Sequence, residues 1–475
     1  MDNRTKWSYC VGATGRDMAY ALVSMFLLLY VQYTVQLTTA QYAVISVCVV
    51  ICMVWDAVND LLMGMIIENA HMKWGKFKPW IAIGCLLNAI VIICLFTIRP
   101  TGWGFVAFYS IGYLLWGMTY TMNDIAYWGM LPSLSSDSKT RNTLVTLMSV
   151  FCCVGQFTVA GLVPMVIAGN AVKAYRIVAL VVALCFLGFQ TLTVLGTKES
   201  ERVDDAEKLS LKSMFKLFVR NDQLVHAGVA CLLFNIGQGL LIIFGVNFFY
   251  VEFGYSDSGS LVFIFTVMYG VGQLLSQALY STLTKKFKRM QLQKFSIICL
   301  FIGYLMLMMF GYILPKNAVL LNAIGLVIFF FQGLSNLSIV VMINNTIEYD
   351  EVRFDERHDS VISAVRSFSV KLSGGINQGL SSLVLIISGI YAMSQEISAL
   401  ELEVDKGAIT SEQALSVAND YIASVATYQT VILRLGMVLI PLCTLTASYL
   451  ILKKKYNITE EKYDELAAEL AGRKG

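Results

Sequence analysis

Apolar runs of twenty or more residues, separated by short polar breaks, recur along almost the whole of this chain. Tyr9 to Tyr33 is one, and "AQYAVISVCVVICMVWDAVNDLLMGMII", beginning at Ala40, is another. A run of this length crosses the hydrocarbon of a bilayer as a helix, the form in which every backbone group finds a partner within its own segment. Only 14% of the residues are charged and 57% are hydrophobic, against about a quarter charged in soluble domains. The expected fold class is therefore an all-α membrane protein. The first run is too long for a signal-peptide core and lacks a small-residue cleavage site, so it reads as a span. A net charge of +3 gives no case for nucleic acid. The 11 cysteines are odd in number and lie mostly inside apolar runs such as "CVVIC", which suits small buried residues rather than a disulfide framework.

Reading runs against breaks predicts twelve transmembrane helices, near 9–32, 41–67, 78–98, 104–131, 142–168, 175–196, 223–251, 258–283, 292–313, 318–347, 361–391 and 427–452. Of the 35 lysines and arginines, 26 fall in the loops on the side of the N-terminus and five on the other, which predicts cytoplasmic N- and C-termini. The charged segment "TKESERVDDAEKLSLKSMFKLFVRNDQ" splits the chain six plus six. Basic loops follow both the second and the eighth span, as a duplicated bundle would have it. The expected organisation is a six-helix bundle over 1–197, a central cytoplasmic loop over 198–222, a second bundle over 223–452 and a tail over 453–475. "TEEKYDELAAEL" in that tail reads as a surface helix capped by Thr459. The polar, acidic stretch from Ser394 to about Tyr421 is long for a loop and reads as a solvated hairpin, with a lid as the alternative.

Against this background a few charges stand out. Arg16, Arg366, Lys371 and Arg434 are the basic residues left inside spans, and Asp17, Asp56, Asp60 and Asp124 are the acids. An ionised group at mid-bilayer costs about 3 kcal/mol or more, so these side chains are expected to face a cavity. In "WDAVNDLLMG" Asp56 and Asp60 share one helical face with Asn59 beside them. Two carboxylates so close repel unless a proton or cation lies between them, and hard oxygen ligands suit an alkali ion. The competing reading is a structural pair neutralised by a basic neighbour. In "WGMTYTMNDIAYWGMLP", Thr121, Asp124 and Trp128 fall on one face. A carboxylate accepting from hydroxyls beside an aromatic plate suits a sugar, although Trp128 alone also fits an interfacial anchor. Arg16 and Asp17 are adjacent and point about 100° apart, so both need not reach one cavity. Lys371 lies within span eleven, where it can balance the acids. Arg366 is shallower and can snorkel. Arg434 suits an ion pair or backbone helix ends. No HExxH, GxSxG or GxxxxGK[ST] motif occurs, so neither an enzyme nor a nucleotide-driven pump is indicated.

At these residues the chain resembles the glycoside–pentoside–hexuronide:cation symporters, the melibiose-permease-like branch of the major facilitator superfamily. The resemblance covers nearly the whole chain and is strongest in "WDAVNDLLMG…WGKFKPW", "LLWGMTYTMNDIAYWGMLP" and "SFSVKLSGG". It implies two six-helix bundles, a coupling-cation site at Asp56, Asn59, Asp60 and Thr121, sugar contacts at Asp17, Asp124 and Trp128 with Arg16 beside them, and a coupling role for Lys371. The chain departs from the family's best-known galactoside carrier at Ser149, where that protein has an arginine, and at Arg366, where it has an amide. Arg366 is thereby a candidate partner for a uronic-acid carboxylate. The implied function is symport of a glycoside, oligosaccharide or hexuronide with Na⁺, Li⁺ or H⁺ by a monomer in a bacterial inner-membrane type of bilayer, without an organic cofactor. The rivals are a carrier of an amphiphilic lipid on the same scaffold and a non-transporting sugar sensor.

Overall fold

The computed structural model describes residues 2–70, 72, 74–135, 137–199, 218–354 and 359–474, without the side chains of residues 57, 61, 68, 138, 139, 142, 359–364, 471 and 474. His71, His358 and most of the central charged segment lie outside the described residues. The described chain is helical throughout. The helices are α1 (Asn3–Ala21), a π-helical turn (Leu22–Phe26), α2 (Leu27–Thr34), α3 (Thr39–Asn69), α4 (Lys78–Thr97), α5 (Trp103–Leu134), α6 (Ser138–Ile167) and α7 (Ala171–Gly196). They continue with α8 (Asp222–Phe253), α9 (Ser258–Thr284), α10 (Arg289–Met309), α11 (Ala318–Asn344), α12 (Thr346–Phe354), α13 (Asp359–Ile387), α14 (Ile390–Asp405), α15 (Ser411–Ala423), α16 (Thr427–Lys455) and α17 (Glu460–Lys474). Ten segments have the length and hydropathy to cross a membrane. The α1–α2 run and α5 are not among the ten; they carry Arg16, Asp17 and Asp124, and α5 is also rich in glycine, serine, threonine and tyrosine. The first span is thus one long helix broken by a π turn five residues after Asp17, a local irregularity frequent at functional sites.

Two compact units can be recognised. The first comprises Met1–Ala206, Val246–Phe263 and Ser382–Thr430, and the second Glu207–Gly245, Ile264–Ser381 and Val431–Gly475. In the first unit, α1 packs on α6 and α7, α4 on α5 and α7, and α3 on α5. Thr38 and Gln41 form a reciprocal cap that starts α3. Val47, Ile51, Val54 and Val58 then expose one stripe of that helix, each 36% or more accessible. Such a face is costly in water and neutral in lipid. Helix contacts rely on small residues: Gly155 admits the Thr14 carbonyl and Gly84 admits the backbone of Asn123, where a β-carbon would collide. Buried amides tie the helices together. Asn88 Nδ2 donates to the Trp116 carbonyl and to Thr119 Oγ1, both at 2.9 Å, and Asn123 Nδ2 donates to the Ile81 carbonyl at 2.9 Å. The "WGKFKPW" loop is held by Glu199, whose carboxylate accepts from the backbone N–H groups of Lys76 and Lys78 at 2.8 Å each. It thereby supplies from a distant segment the cap that the start of α4 lacks.

In the second unit, α10 packs on α11, and α12 on α17. The tail helix expected after Thr459 is present, and Thr459 Oγ1 accepts from Lys462 N at 3.2 Å. It is also docked: Glu460 pairs with Arg289 at 3.1 Å, and Leu466 and Leu470 are buried. Arg434, 1% exposed, donates to the carbonyls of Met308 and Phe310 and lies over the Tyr312 ring. It satisfies the helix-end carbonyls of α10, the second of the two roles open to it from sequence. All 11 cysteines are free.

The segment from Ser394 to Tyr421 differs from the solvated hairpin expected. It forms α14 and α15, and Ile390, Tyr391, Ser394, Ile397, Ser398 and Glu401 of α14 are buried. The acidic composition conceals an inward face at helical spacing.

Removing a buried donor from two helix-end carbonyls costs about 1–3 kcal/mol. Arg434→Met should therefore lower the melting temperature of the purified protein in detergent while leaving the affinity of the site in the first unit unchanged. An unchanged melting temperature would show that the carbonyls find other donors.

Candidate cation and sugar site

Two polar clusters lie one above the other in the first unit, joined by α5. In the first, α3 presents Asp56 and Asp60 one turn apart and α5 brings Thr121 between them. Thr121 Oγ1 is 2.9 Å from Asp56 Oδ1 and 3.0 Å from Asp60 Oδ1. The hydroxyl is 1% exposed and carries a single proton, so it can donate to only one of the two carboxylates. The other oxygen–oxygen contact is favourable only where a proton, a small cation or a basic side chain supplies a further positive centre. Asn59 is buried, and its Nδ2 has no hydrogen-bond partner among the described residues. No group of three or more histidines, cysteines and carboxylates suited to a metal ion occurs among the described residues. Two carboxylates, a hydroxyl and a neighbouring amide make an all-oxygen donor set fit for an alkali ion or a proton.

The second cluster is centred on Arg16. Its Nε and Nη2 reach Asp17 Oδ2 at 3.1 and 2.8 Å, and Nη1 lies 3.1 Å from Asp124 Oδ1. Nη2 also donates to Cys152 Sγ at 3.3 Å. The guanidinium stacks over the rings of Tyr127 and Trp128, 4.8 and 5.6 Å from their centroids. Adjacent positions on a helix do not force Arg16 and Asp17 together; the long arginine stem folds back to join them. The guanidinium side chain is 4% exposed, whereas Asp17 and Asp124 are 17% and 26% exposed. The positive charge is therefore inside, and the accessible oxygens belong to carboxylates. Arg16 thus braces both acids. Tyr9 and Tyr127 stack at 4.6 Å, and the Tyr9 hydroxyl donates to the Tyr127 carbonyl at 2.9 Å, which pins α1 against α5 behind the cluster.

Thr121, Asp124 and Trp128 share a face in sequence but divide their work. Thr121 joins the α3 carboxylates, Asp124 joins Arg16, and Trp128, 41% exposed, covers the arginine. Sequence reasoning missed the aromatic wall beside them. Tyr20 lies 5.3 Å from Tyr120 and 6.1 Å from Trp116, and Trp116 is 5.7 Å from Tyr120. The indole nitrogen of Trp116 is buried and unpartnered among the described residues. The signal was there: Trp116, Tyr120 and Asp124 recur every four residues, one helical face. Arg366 and Lys371 lie on α13 in the second unit, the former exposed and the latter half-buried. Ser149 is exposed on α6, its hydroxyl donating to the Val145 carbonyl at 2.8 Å.

The chain matches a family model described as MFS/sugar transport protein over residues 8–460. It is 25% identical to the lactose permease of Lactobacillus delbrueckii subsp. bulgaricus across 98% of this chain and 72% of that protein. It is also 25% identical to the raffinose carrier protein of Pediococcus pentosaceus, across 97% of this chain and 70% of that one. Its fold is similar to a bacterial homologue of the human lysosomal transporter Spinster, with a TM-score of 0.64 at 11% identity, covering 96% and 99% of the two chains.

Removing the brace should be destabilising, because two partly buried carboxylates lose their shared counter-charge at about 3–5 kcal/mol. Arg16→Met is expected to lower the melting temperature clearly, and Arg16→Lys, which keeps the charge and loses the fork, to recover part of it. Equal losses in both variants would mean that packing rather than charge holds the cluster.

Proposed function

We propose, from the premise that this chain belongs to the MFS/sugar transport protein family, that it is a symporter carrying a neutral glycoside or oligosaccharide into the cell with a small cation by alternating access. The observation that carries the reading is the Thr121 hydroxyl set between two carboxylates, one helical turn from the Arg16-braced acids. Sugar transport follows from the family itself. Cation coupling rests on the oxygen set, two carboxylates that meet at one buried hydroxyl.

The acids of the second cluster supply the chemistry for a sugar. Their exposed oxygens accept from hydroxyls, and the rings of Trp128, Tyr20 and Tyr120 can cover apolar C–H faces. One arginine against two aspartates leaves the cluster net negative, which disfavours an anionic sugar and a lipid phosphate alike. The lactose and raffinose relatives agree with a neutral substrate. The uronide reading keeps a foothold only in Arg366, outside this cluster. A carboxylate-lined site also argues against the lipid carrier, and measured flux distinguishes a carrier from a sensor.

Cation binding removes the repulsion between Asp56 and Asp60 and draws α3 to α5. Asp124 sits one turn along the same helix, so each ligand organises the other's site, and the gain is reciprocal. Lys371 is positioned by resemblance alone to exchange with the cation for the acids. With both termini inside, as the basic loops indicate, the membrane potential drives the cation inward. At 100 mV it contributes about 2.3 kcal/mol per charge. A tenfold cation gradient adds about 1.4 kcal/mol, so one cation supports roughly 500-fold accumulation.

The test is uptake into proteoliposomes of lactose, raffinose and a glucuronide, with Na⁺ and pH gradients imposed separately. A neutral sugar should accumulate only when one of the gradients is present. Uptake confined to the glucuronide, or indifferent to both gradients, would overturn the proposal. Asp60→Asn should abolish accumulation and spare sugar exchange. Thr121→Val, which removes a hydrogen bond to a charged group worth about 1.5–3 kcal/mol, should raise the half-activating cation concentration roughly tenfold or more. Arg366→Gln should leave neutral-sugar uptake intact.

A further inference from the structure

The α14–α15 hairpin connects α13 to α16 and lies across the helix ends where α2 stops, α3 begins, α6 turns into α7 and α8 turns into α9. With the termini inside, this is the outer face. The hairpin is fastened there by a set of buried polar contacts, all within the first unit. Glu401, 1% exposed, accepts from the backbone N–H of Gly169 at 2.9 Å, from that of Ala171 at 2.6 Å and from the Tyr255 hydroxyl at 2.8 Å. Ala171 opens α7, so Glu401 caps that helix from a segment more than two hundred residues away. Gln395 accepts from Leu37 N at 2.9 Å and donates to the Gln32 carbonyl at 3.0 Å. Tyr391 donates to the Leu37 carbonyl at 3.0 Å and stacks on Tyr42 at 4.1 Å. Arg176 and Asp405 form an exposed pair at 3.2 Å. Beneath the hairpin, Gln32 and Tyr33 both donate to Asn247 Oδ1, at 2.9 and 2.8 Å.

These contacts join two parts of the chain that must separate if a path opens to the outside. Gln32, Leu37, Gly169 and Ala171 come from the first six spans, whereas the hairpin, Tyr255 and Asn247 come from the last six. A simple span connection needs only a few residues. This one spends about forty, from Ser388 to Ala426, on two helices: α14 bonds through Tyr391, Gln395 and Glu401 to chain ends of the first six spans, and α15 bonds through Asn419 to Tyr255 and Ser256 on its own side of that division. The polar contacts lie at the rim beside a small apolar face made by Ile390, Ile397, Ala414, Ala418 and Ile422. They are individually modest and collectively cooperative, the character of an element that holds one state and can let go.

We infer that the α14–α15 hairpin is the outer latch of the carrier, closed here, with Glu401 as its pin, and that its release from the ends of α2 and α7 accompanies every opening toward the outside. The inference rests on the transport reading above and adds to it a gate outside the sugar and cation clusters. Both oxygens of Glu401 accept from N–H donors, so Glu401→Gln sets an amide N–H against one of them and loosens the latch without changing shape.

The experiment uses the full chain in proteoliposomes, with Arg176→Cys and Asp405→Cys joined by a short bifunctional methanethiosulfonate and the single-cysteine variants as controls. Cross-linking should cut sugar entry at least tenfold, and reduction should restore it. Unchanged entry with the cross-link complete overturns the latch. Glu401→Gln should lower the external sugar KM several-fold by raising the share of outward-open carrier, and an unchanged KM removes Glu401 as the pin. Where that variant fails to fold, the surface cross-link still decides. Spin labels at positions 176 and 405 read the latch without recourse to transport. Two distance populations whose ratio changes with sugar support it, and a single invariant distance overturns it. Absence of uptake of any sugar by the untreated double variant and the native chain would instead overturn the transport reading.

Discussion

A carboxylate in hydrocarbon must be matched by positive charge, and this protein meets that demand in two different ways within one turn of α5. At Asp56 and Asp60 neither α3 nor α5 carries a lysine or arginine, and the Thr121 hydroxyl lies within hydrogen-bond distance of both acids. Two carboxylate oxygens bound to the same hydroxyl lie within about 6 Å of each other, where two full charges repel by about 3 kcal/mol at an effective dielectric constant of 20. A hydroxyl can relieve only part of that. Under the symport proposed above, a small positive ion supplies part of the remainder, which is the property a coupling site requires. At Asp17 and Asp124 the match is permanent, because Arg16 is buried behind them and reaches both. In the proposed symport, the first cluster changes its charge and the second keeps it.

That difference explains why α5 is the helix the rest of the bundle works to place. Asn88 and Asn123 bond it to α4, Tyr127 stacks it on α1, and Gly84 lets its backbone approach within contact of α4. Buried amides in lipid are retained where position matters more than the modest energy they add. With α5 so held, Thr121 and Asp124 reach two neighbours from one face of the helix, α3 and α1, and a displacement of either neighbour is felt one turn away. The coupling proposed above needs no chain of ion pairs. A helix with two loaded positions is sufficient, because each ligand has only to favour the same placement of that helix.

The parts of this organisation that could be read in the sequence are those set by the solvent. Hydrocarbon imposes length and apolarity on every span, so the helices and the misplaced acids stood out before any geometry was known. The i, i+4 spacing of Asp56 and Asp60 likewise placed both on one face, where Thr121 meets them. What could not be read was set by side-chain reach and by long-range contact. Nothing local makes Arg16 fold back on Asp17, since the two leave the helix at different angles; the pairing follows from Asp124 and Tyr127 closing the site from α5. The π turn after Asp17 has no residue signature of its own. The hairpin was obscured by composition: six acids among its residues suggest water, yet Tyr391, Ser394, Ile397, Ser398 and Glu401 fall on one face, and the donors that satisfy Glu401 lie on loops no local pattern could assign.

The same reasoning bears on how the two kinds of cluster can cooperate with a rim fastened by hydrogen bonds. A carrier that opened whenever the rim broke would leak cation, and one held shut by a large apolar interface would not open at the modest energies an ion gradient supplies. Between these limits, a closed rim made of individually weak bonds fails as a unit once a few are lost, so small changes in the buried clusters are enough to decide it. In the proposed symport, vacating the acidic pair on α3 sets a few kcal/mol of repulsion against α5. That is the same order as the loss of two or three rim hydrogen bonds at about 1 kcal/mol each. Energies matched in this way allow the state of a small cation in the middle of the membrane to bias a gate at its edge, without either one overwhelming the other.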